Sequence, residues 1–102
     1  MDEKKLKSVR MAGREVHDYY ESISGNNKIV SISYRLLNTA KVRNKKDFMD
    51  IVLRVFMGCN KSVPMIFLEI MSEKEIDFES IAYAFIAGLI SEKYEPNVEG
   101  GK

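Results

Sequence analysis

The chain has 102 residues, 45% of them hydrophobic, with a net charge of +1, one cysteine and one histidine. That is enough apolar material for one hydrophobic core, and too short a chain for a large catalytic domain with its own cofactor site. Cys59 cannot form an internal disulfide, which fits a reducing, cytoplasmic setting, and with His17 it cannot supply the four ligands of a structural zinc site. No apolar run approaches the roughly 18 residues of a membrane span. The charged start MDEKKLKSVR has no apolar region behind it and does not read as a signal peptide.

Hydrophobic periodicity predicts an all-α chain, a compact bundle of about five helices. A single domain is expected over residues 1–95 and a flexible tail over 96–102. The first helix spans about Asp2 to Ser22, with Leu6, Val9, Val16 and Tyr20 at helical spacing and the small residues Ala12 and Gly13 beside them. The turn cluster Ser24-Gly25-Asn26-Asn27 ends it. A second helix follows from about Asn27 to Val42, its apolar stripe formed by Ile29, Ile32, Leu36, Leu37 and Ala40. The segment KIVSISY also alternates as a strand would, but the following LLNTAK favours helix.

Asn44 is a natural cap for the third helix, with Asp47 near its positive end. Phe48, Ile51, Val52, Val55 and Phe56 make its core face, Asp50 and Arg54 an outer i,i+4 pair, and Gly58 its stop. The fourth helix is short, starts at Pro64 and breaks at Ser72. Met65, Ile66, Leu68, Ile70 and Met71 imply burial on more than one side. The fifth begins at the N-cap Asp77 and runs to about Lys93, with Ile81, Ala84, Phe85, Gly88 and Leu89 on one face. Ala84, Ala87 and Gly88 would let another backbone come close.

No catalytic signature emerges. There is no G-x-G-x-x-G, P-loop or H-E-x-x-H, so neither enzymatic activity nor a cofactor is expected. His17 reads as a surface histidine, Cys59 as a small half-buried residue, and Glu69, Glu73 and Asp77 as a solvated acidic face. Met49, Met57, Met65 and Met71 read mostly as core filler. Tyr19, Tyr20, Tyr34 and Tyr83 are undecided between packing and base stacking.

Charge is where the chain is uneven. Residues 1–62 hold 13 Lys/Arg and 7 Asp/Glu, whereas residues 63–102 hold 3 and 8. No acid falls between Glu21 and Asp47. Within that window Lys41, Arg43, Lys45 and Lys46 gather at a helix–helix corner, with Arg35 and Lys28 upstream. Such a surface suits a nucleic-acid backbone, met without base readout. A second basic group, Lys4, Lys5, Lys7, Arg10 and Arg14, lines the first helix, with Arg14 placed to pair with Asp18.

The segments YRLLNTAKVRNKKDFMDIVLRVFMG, VPMIFLEIM and DFESIAYAFIAGLI resemble the helical C-terminal region of the large subunit of type I-B CRISPR Cascade complexes. That region is also made separately as a small subunit, and a chain of this length starting at Met1 fits such a product. The resemblance covers roughly Ile29 to Glu92 and rests on a dispersed helical pattern rather than a catalytic motif. It implies a non-catalytic subunit in antiviral defence. Such subunits brace the guide-RNA filament and help hold the target and displaced DNA strands of the R-loop. The implied partners are the backbone subunits, the large subunit, further small-subunit copies, guide RNA and target DNA, with no membrane and no small-molecule substrate. The family's basic face maps here onto Arg35, Lys41, Arg43, Lys45, Lys46 and Lys28. The competing expectation is a protein-interaction adaptor that dimerises through the small-residue face of the last helix.

Overall fold

The computed structural model describes residues 3–70 and 77–90. Among them the chain forms five helices and no strand: α1 (Glu3–Ser24), α2 (Asn26–Lys41), α3 (Lys45–Gly58), α4 (Met65–Ile70) and α5 (Phe78–Ile90). The all-α bundle expected from periodicity is therefore present. The expected break at Ser72, the run of the fifth helix to Lys93, the positions of Met71 and Glu73, and the tail over 96–102 lie outside the described residues.

α5 is the axis of the bundle. It buries Phe78, Ile81, Ala82, Ala84, Phe85, Ile86, Gly88 and Leu89, leaving an outer strip of Tyr83, Ala87 and Ile90 with Glu79 and Ser80 half-buried in its first turn. α1 and α2 pack directly along it. α3 and α4 reach it through rings. Phe56, Phe67 and Phe85 stand 5.1 to 6.1 Å apart, centroid to centroid, and Phe48 meets Phe78 edge-on at 5.3 Å. Edge-on and tilted contacts add attraction to the area these rings bury.

The approach of α1 to α5 depends on two glycines. A Cβ at Gly13 would run into the carbonyl oxygen of Phe85 and lie 2.9 Å from the amide nitrogen of Leu89. A Cβ at Gly88 would strike the carbonyl of Arg10. In both cases the obstacle is backbone, which cannot swing aside. Of the small residues read from the last helix, Gly88 thus serves a contact inside this chain, Ala84 is buried and Ala87 is exposed.

Turn chemistry sets the other joints. Gly25, at φ 71°, alone separates α1 from α2, so the turn is tighter than the four-residue cluster expected. α3 does not stop through Gly58. Its end is made by Asn60, at φ 60°, with Asn60 N–H donating to Met57 and Lys61 N–H to Phe56. Gly58 is needed for space instead, because a Cβ there would collide with the Tyr20 hydroxyl. That hydroxyl donates to the Val55 carbonyl at 3.2 Å. Asp77 caps α5 as expected, accepting from the Ser80 amide at 3.2 Å and the Ser80 hydroxyl at 2.6 Å.

Several expectations are corrected. His17 is not on the surface: it is 3% exposed, and its Nδ1 lies 2.8 Å from the Leu89 carbonyl. It shares the face of α1 that carries Gly13, Val16 and Tyr20, and a hydrogen bond to α5 satisfies one of its ring nitrogens. Met57 and Met65 are 76% and 70% exposed, so of the described methionines in the apolar segments only Met49 fills the core. α4 buries Phe67 and Ile70 but not Met65 or Leu68, so it packs on one side only. Asp50 pairs with Lys46 one turn back, at 3.6 Å, rather than with Arg54 one turn ahead.

Cys59 is buried rather than half-buried. Burial pushes its thiol above the ordinary value of 9.0 and the neighbouring Tyr20 phenol above 10.0. Both groups favour the neutral form in the fold. Their contribution to stability is therefore complete below their unfolded values and is lost as pH rises through the raised folded ones. Melting temperature should fall as pH climbs beyond about 9, and Tyr20→Phe should flatten that slope in a pH series of thermal melts. Gly13→Ala and Gly88→Ala should each destabilise the chain by about 1–3 kcal/mol, measured as a lowered urea midpoint with an unchanged m-value.

Candidate nucleic-acid interface

α2 carries no carboxylate over its whole length, NNKIVSISYRLLNTAK. Its inner stripe of Ile29, Ile32, Ser33, Leu36 and Ala40 is buried, and Ser33 satisfies its hydroxyl by donating to the Ile29 carbonyl at 2.8 Å. The opposite face is left to solvent, and all six cations predicted for the site are exposed on it or at the corner that follows. Lys28 stands in the first turn of α2, Arg35 in its middle and Lys41 in its last turn. Lys28 and Lys41 are thus about 20 Å apart along the axis. Lys28 and Arg35, seven residues apart, lie nearly in line on one flank; Lys41 falls on the other. The site is therefore a strip along α2 that ends in a corner, not a point cluster.

The corner is built by one residue with two duties. Asn44 donates its backbone N–H to Thr39 at 2.9 Å, closing the end of α2. Its side-chain oxygen accepts the Asp47 amide at 3.0 Å, opening α3, and its side-chain nitrogen donates to the Asp47 carboxylate at 2.9 Å. The amide at Arg43 donates back to Ala40 at 3.0 Å. Together these are the paired bonds of a left-handed helix terminus, and the left-handed residue is Arg43, at φ 55°. Arginine in that conformation costs roughly 1–2 kcal/mol relative to glycine. Asn44, which adopts it more readily, is already committed to capping α3 and binds nothing else here.

Electrostatics then sort the six residues. Arg43 is turned toward the first turn of α5, where its Nε donates to the Glu79 carboxylate at 2.6 Å. Lys46 shares Asp50. Among the described residues no carboxylate stands within ion-pair distance of Lys28, Arg35, Lys41 or Lys45, so these four carry the uncompensated charge of the strip. Arg43 joins the basic corner to the acidic second half of the chain and acts first as a tie. Both partners are well exposed, so the tie contributes no more than about 1 kcal/mol.

In the second basic group, on α1, the two arginines are held within the helix, while Lys4, Lys5 and Lys7 are exposed. Arg10 pairs with Glu3 at 2.9 Å and Arg14 with Asp18 at 3.1 Å. Of the undecided tyrosines, Tyr20 is buried, Tyr19 packs edge-on against it, Tyr83 is partly exposed and Tyr34 stands open on α2. Among the described residues, one group has metal-type donor atoms within 4.8 Å of one another: His17, Asp18 and Glu21. Asp18 is engaged by Arg14, His17 is fixed by the Leu89 carbonyl, and Glu21 lies 3.6 Å from the second ring nitrogen of His17. The arrangement reads as a helix-surface ion-pair chain anchored by a buried imidazole. Cys59 is buried, and burial pushes its thiol up, which favours the neutral form over the reactive thiolate. Among the described residues no helix is long and apolar enough to cross a membrane.

Because residue 43 sits in the left-handed region, Arg43→Gly should be about 1 kcal/mol more stable than Arg43→Ala, although both lose the Glu79 tie. Chemical denaturation of the two variants checks this. Comparison of the chain with protein-family models, with curated proteins and with solved structures finds no match.

Proposed function

We propose that this chain is a non-catalytic small subunit of a type I-B CRISPR Cascade effector complex, working in the cytoplasm. In this reading its α2–α3 surface meets sugar–phosphate backbone without reading bases. There it braces the guide-RNA filament and steadies the target and displaced strands of the R-loop. The observation that carries the reading is the strip from Asn26 to Lys46. It holds 21 residues with no acid, and Lys28, Arg35, Lys41 and Lys45 face solvent without a described carboxylate partner. Backbone contacts of this kind suit a process in which heteroduplex and duplex are nearly balanced, since a few phosphate contacts tip the exchange. The partners of this reading are the backbone and large subunits, further copies of the chain, guide RNA and target DNA.

The adaptor reading needs a free small-residue face on α5. Ala84 is buried, and Gly88 lies against the backbone of α1. Two of the three small residues are thus occupied within the chain, and Ala87 stays exposed beside Tyr83 and Ile90.

Reversing Lys41, Lys45 and Arg35 to Glu should leave the melting temperature nearly unchanged, because all three are exposed. In the reconstituted complex the triple variant should bind target DNA more weakly. The slope of log affinity against log salt should become shallower by roughly one for each phosphate that is no longer neutralised. Undiminished target binding by that variant would overturn the assignment.

A further inference from the structure

The outer face of α2 carries more than charge. Tyr34 is 66% exposed at the middle of the helix, and no hydrogen bond or ring contact ties it to a described residue. At 100° per residue its neighbours on the surface are Val30 and Asn38, one turn to either side, and Lys41 two turns on. Val30 is itself 63% exposed. Asn27, Ser31 and Asn38 run down the centre of the face. Arg35 and Lys28 line its far flank. The strip thus presents one flat aromatic ring, a row of neutral amide and hydroxyl groups, cations on both sides, and no carboxylate.

We infer that this face is a single-strand platform on which Tyr34 stacks a nucleobase. The inference rests on the nucleic-acid reading above and sharpens it from backbone to base. A duplex hides its base faces in the stack and offers only phosphates to such a surface, whereas a single strand offers both. Tyr34 supplies the π-face, which accepts any base. Lys41 on one side and Arg35 and Lys28 on the other track the backbone as it passes over the helix. The side-chain amides of Asn27 and Asn38 both donate and accept, so they can meet phosphate or base edge. The charge of the face selects against its other natural occupant: a second copy of the same face would set like charges together.

The test uses the full chain and short labelled single strands of thymidine or uridine, alongside a duplex of matched length, with binding read by fluorescence anisotropy. Tyr34→Ala should weaken single-strand binding roughly five- to a hundred-fold, leave the salt slope unchanged and leave duplex binding untouched. Tyr34→Phe, which keeps the ring, should bind as the parent does. Equal weakening on thymidine and uridine strands supports stacking on either polymer, and a difference between them names the strand that uses the platform. If Tyr34→Ala binds like the parent while Lys41→Glu binds weakly, stacking fails and the backbone reading stands. If the parent chain shows no salt-dependent single-strand binding at all, both fail. A Tyr34→Ala change that alters the sedimentation mass of the free chain instead makes the face a protein contact and overturns the inference.

Discussion

The backbones of α1 and α5 touch at Gly13 and Gly88, and the rest of the bundle is arranged around that contact. With no side chain at either position, the carbonyls of Arg10 and Phe85 lie against the opposing helix. The close approach brings the buried face of α1 down onto α5, so that Val9, Val16 and His17 are sealed. The imidazole is drawn near enough to bond the Leu89 carbonyl. α5 is thereby covered on one side by α1 and α2, and it offers Phe78 and Phe85 to the rings of α3 and α4 on the other. A helix apolar on nearly every side is stable in water only when enclosed in this way.

Enclosing α5 decides which surfaces remain for partners. Of the small residues of α5, Ala84 and Gly88 are used internally and Ala87 is exposed. α2 reaches the core with one stripe only, so its whole opposite face stays open, and the absence of acid along it leaves that face positive. The corner between α2 and α3 is closed by contacts of a different kind. Asn44 serves both helix ends, and Arg43 takes the left-handed position and is fastened to Glu79. The two halves of the chain, unlike in charge, are joined at that point. A cation that the sequence offers to phosphate is thus partly neutralised by the chain itself.

Periodicity carries most of the architecture. The five helices, the cap at Asn44, the cap at Asp77 and the core positions of Phe48, Val52, Val55, Phe56, Ile81, Phe85 and Leu89 follow from spacing and from side-chain chemistry at helix ends. The errors have physical causes. Residue type alone gives His17 to solvent, although its place one residue after Val16 and three before Tyr20 puts it on the buried stripe. Residue type likewise gives Met57 and Met65 to the core, although each lies off the inward face of its helix. Gly58 reads as a stop because glycine often is one, while Asn60 supplies the left-handed residue. For the candidate site, the six cations and their exposure are legible. Their unequal electrostatic state is not, because Glu79 is far from Arg43 in sequence and only the packing of α5 brings it within reach. No pattern rule puts a left-handed arginine at position 43 when an asparagine stands beside it.

The meeting of Tyr20 with Gly58 has a consequence for how this chain can vary. The phenol hydroxyl occupies the place a side chain at position 58 would need, and it is held there by the Val55 carbonyl. The two residues form one unit. A side chain at 58 requires the Tyr20 hydroxyl to shift or be lost, so tyrosine at 20 favours glycine at 58. Among descendants of this sequence, change at 58 is therefore coupled to the state of residue 20. The order of changes matters as well: removal of the hydroxyl first avoids a step in which the Tyr20 ring must shift off the Val55 carbonyl to admit a side chain at 58.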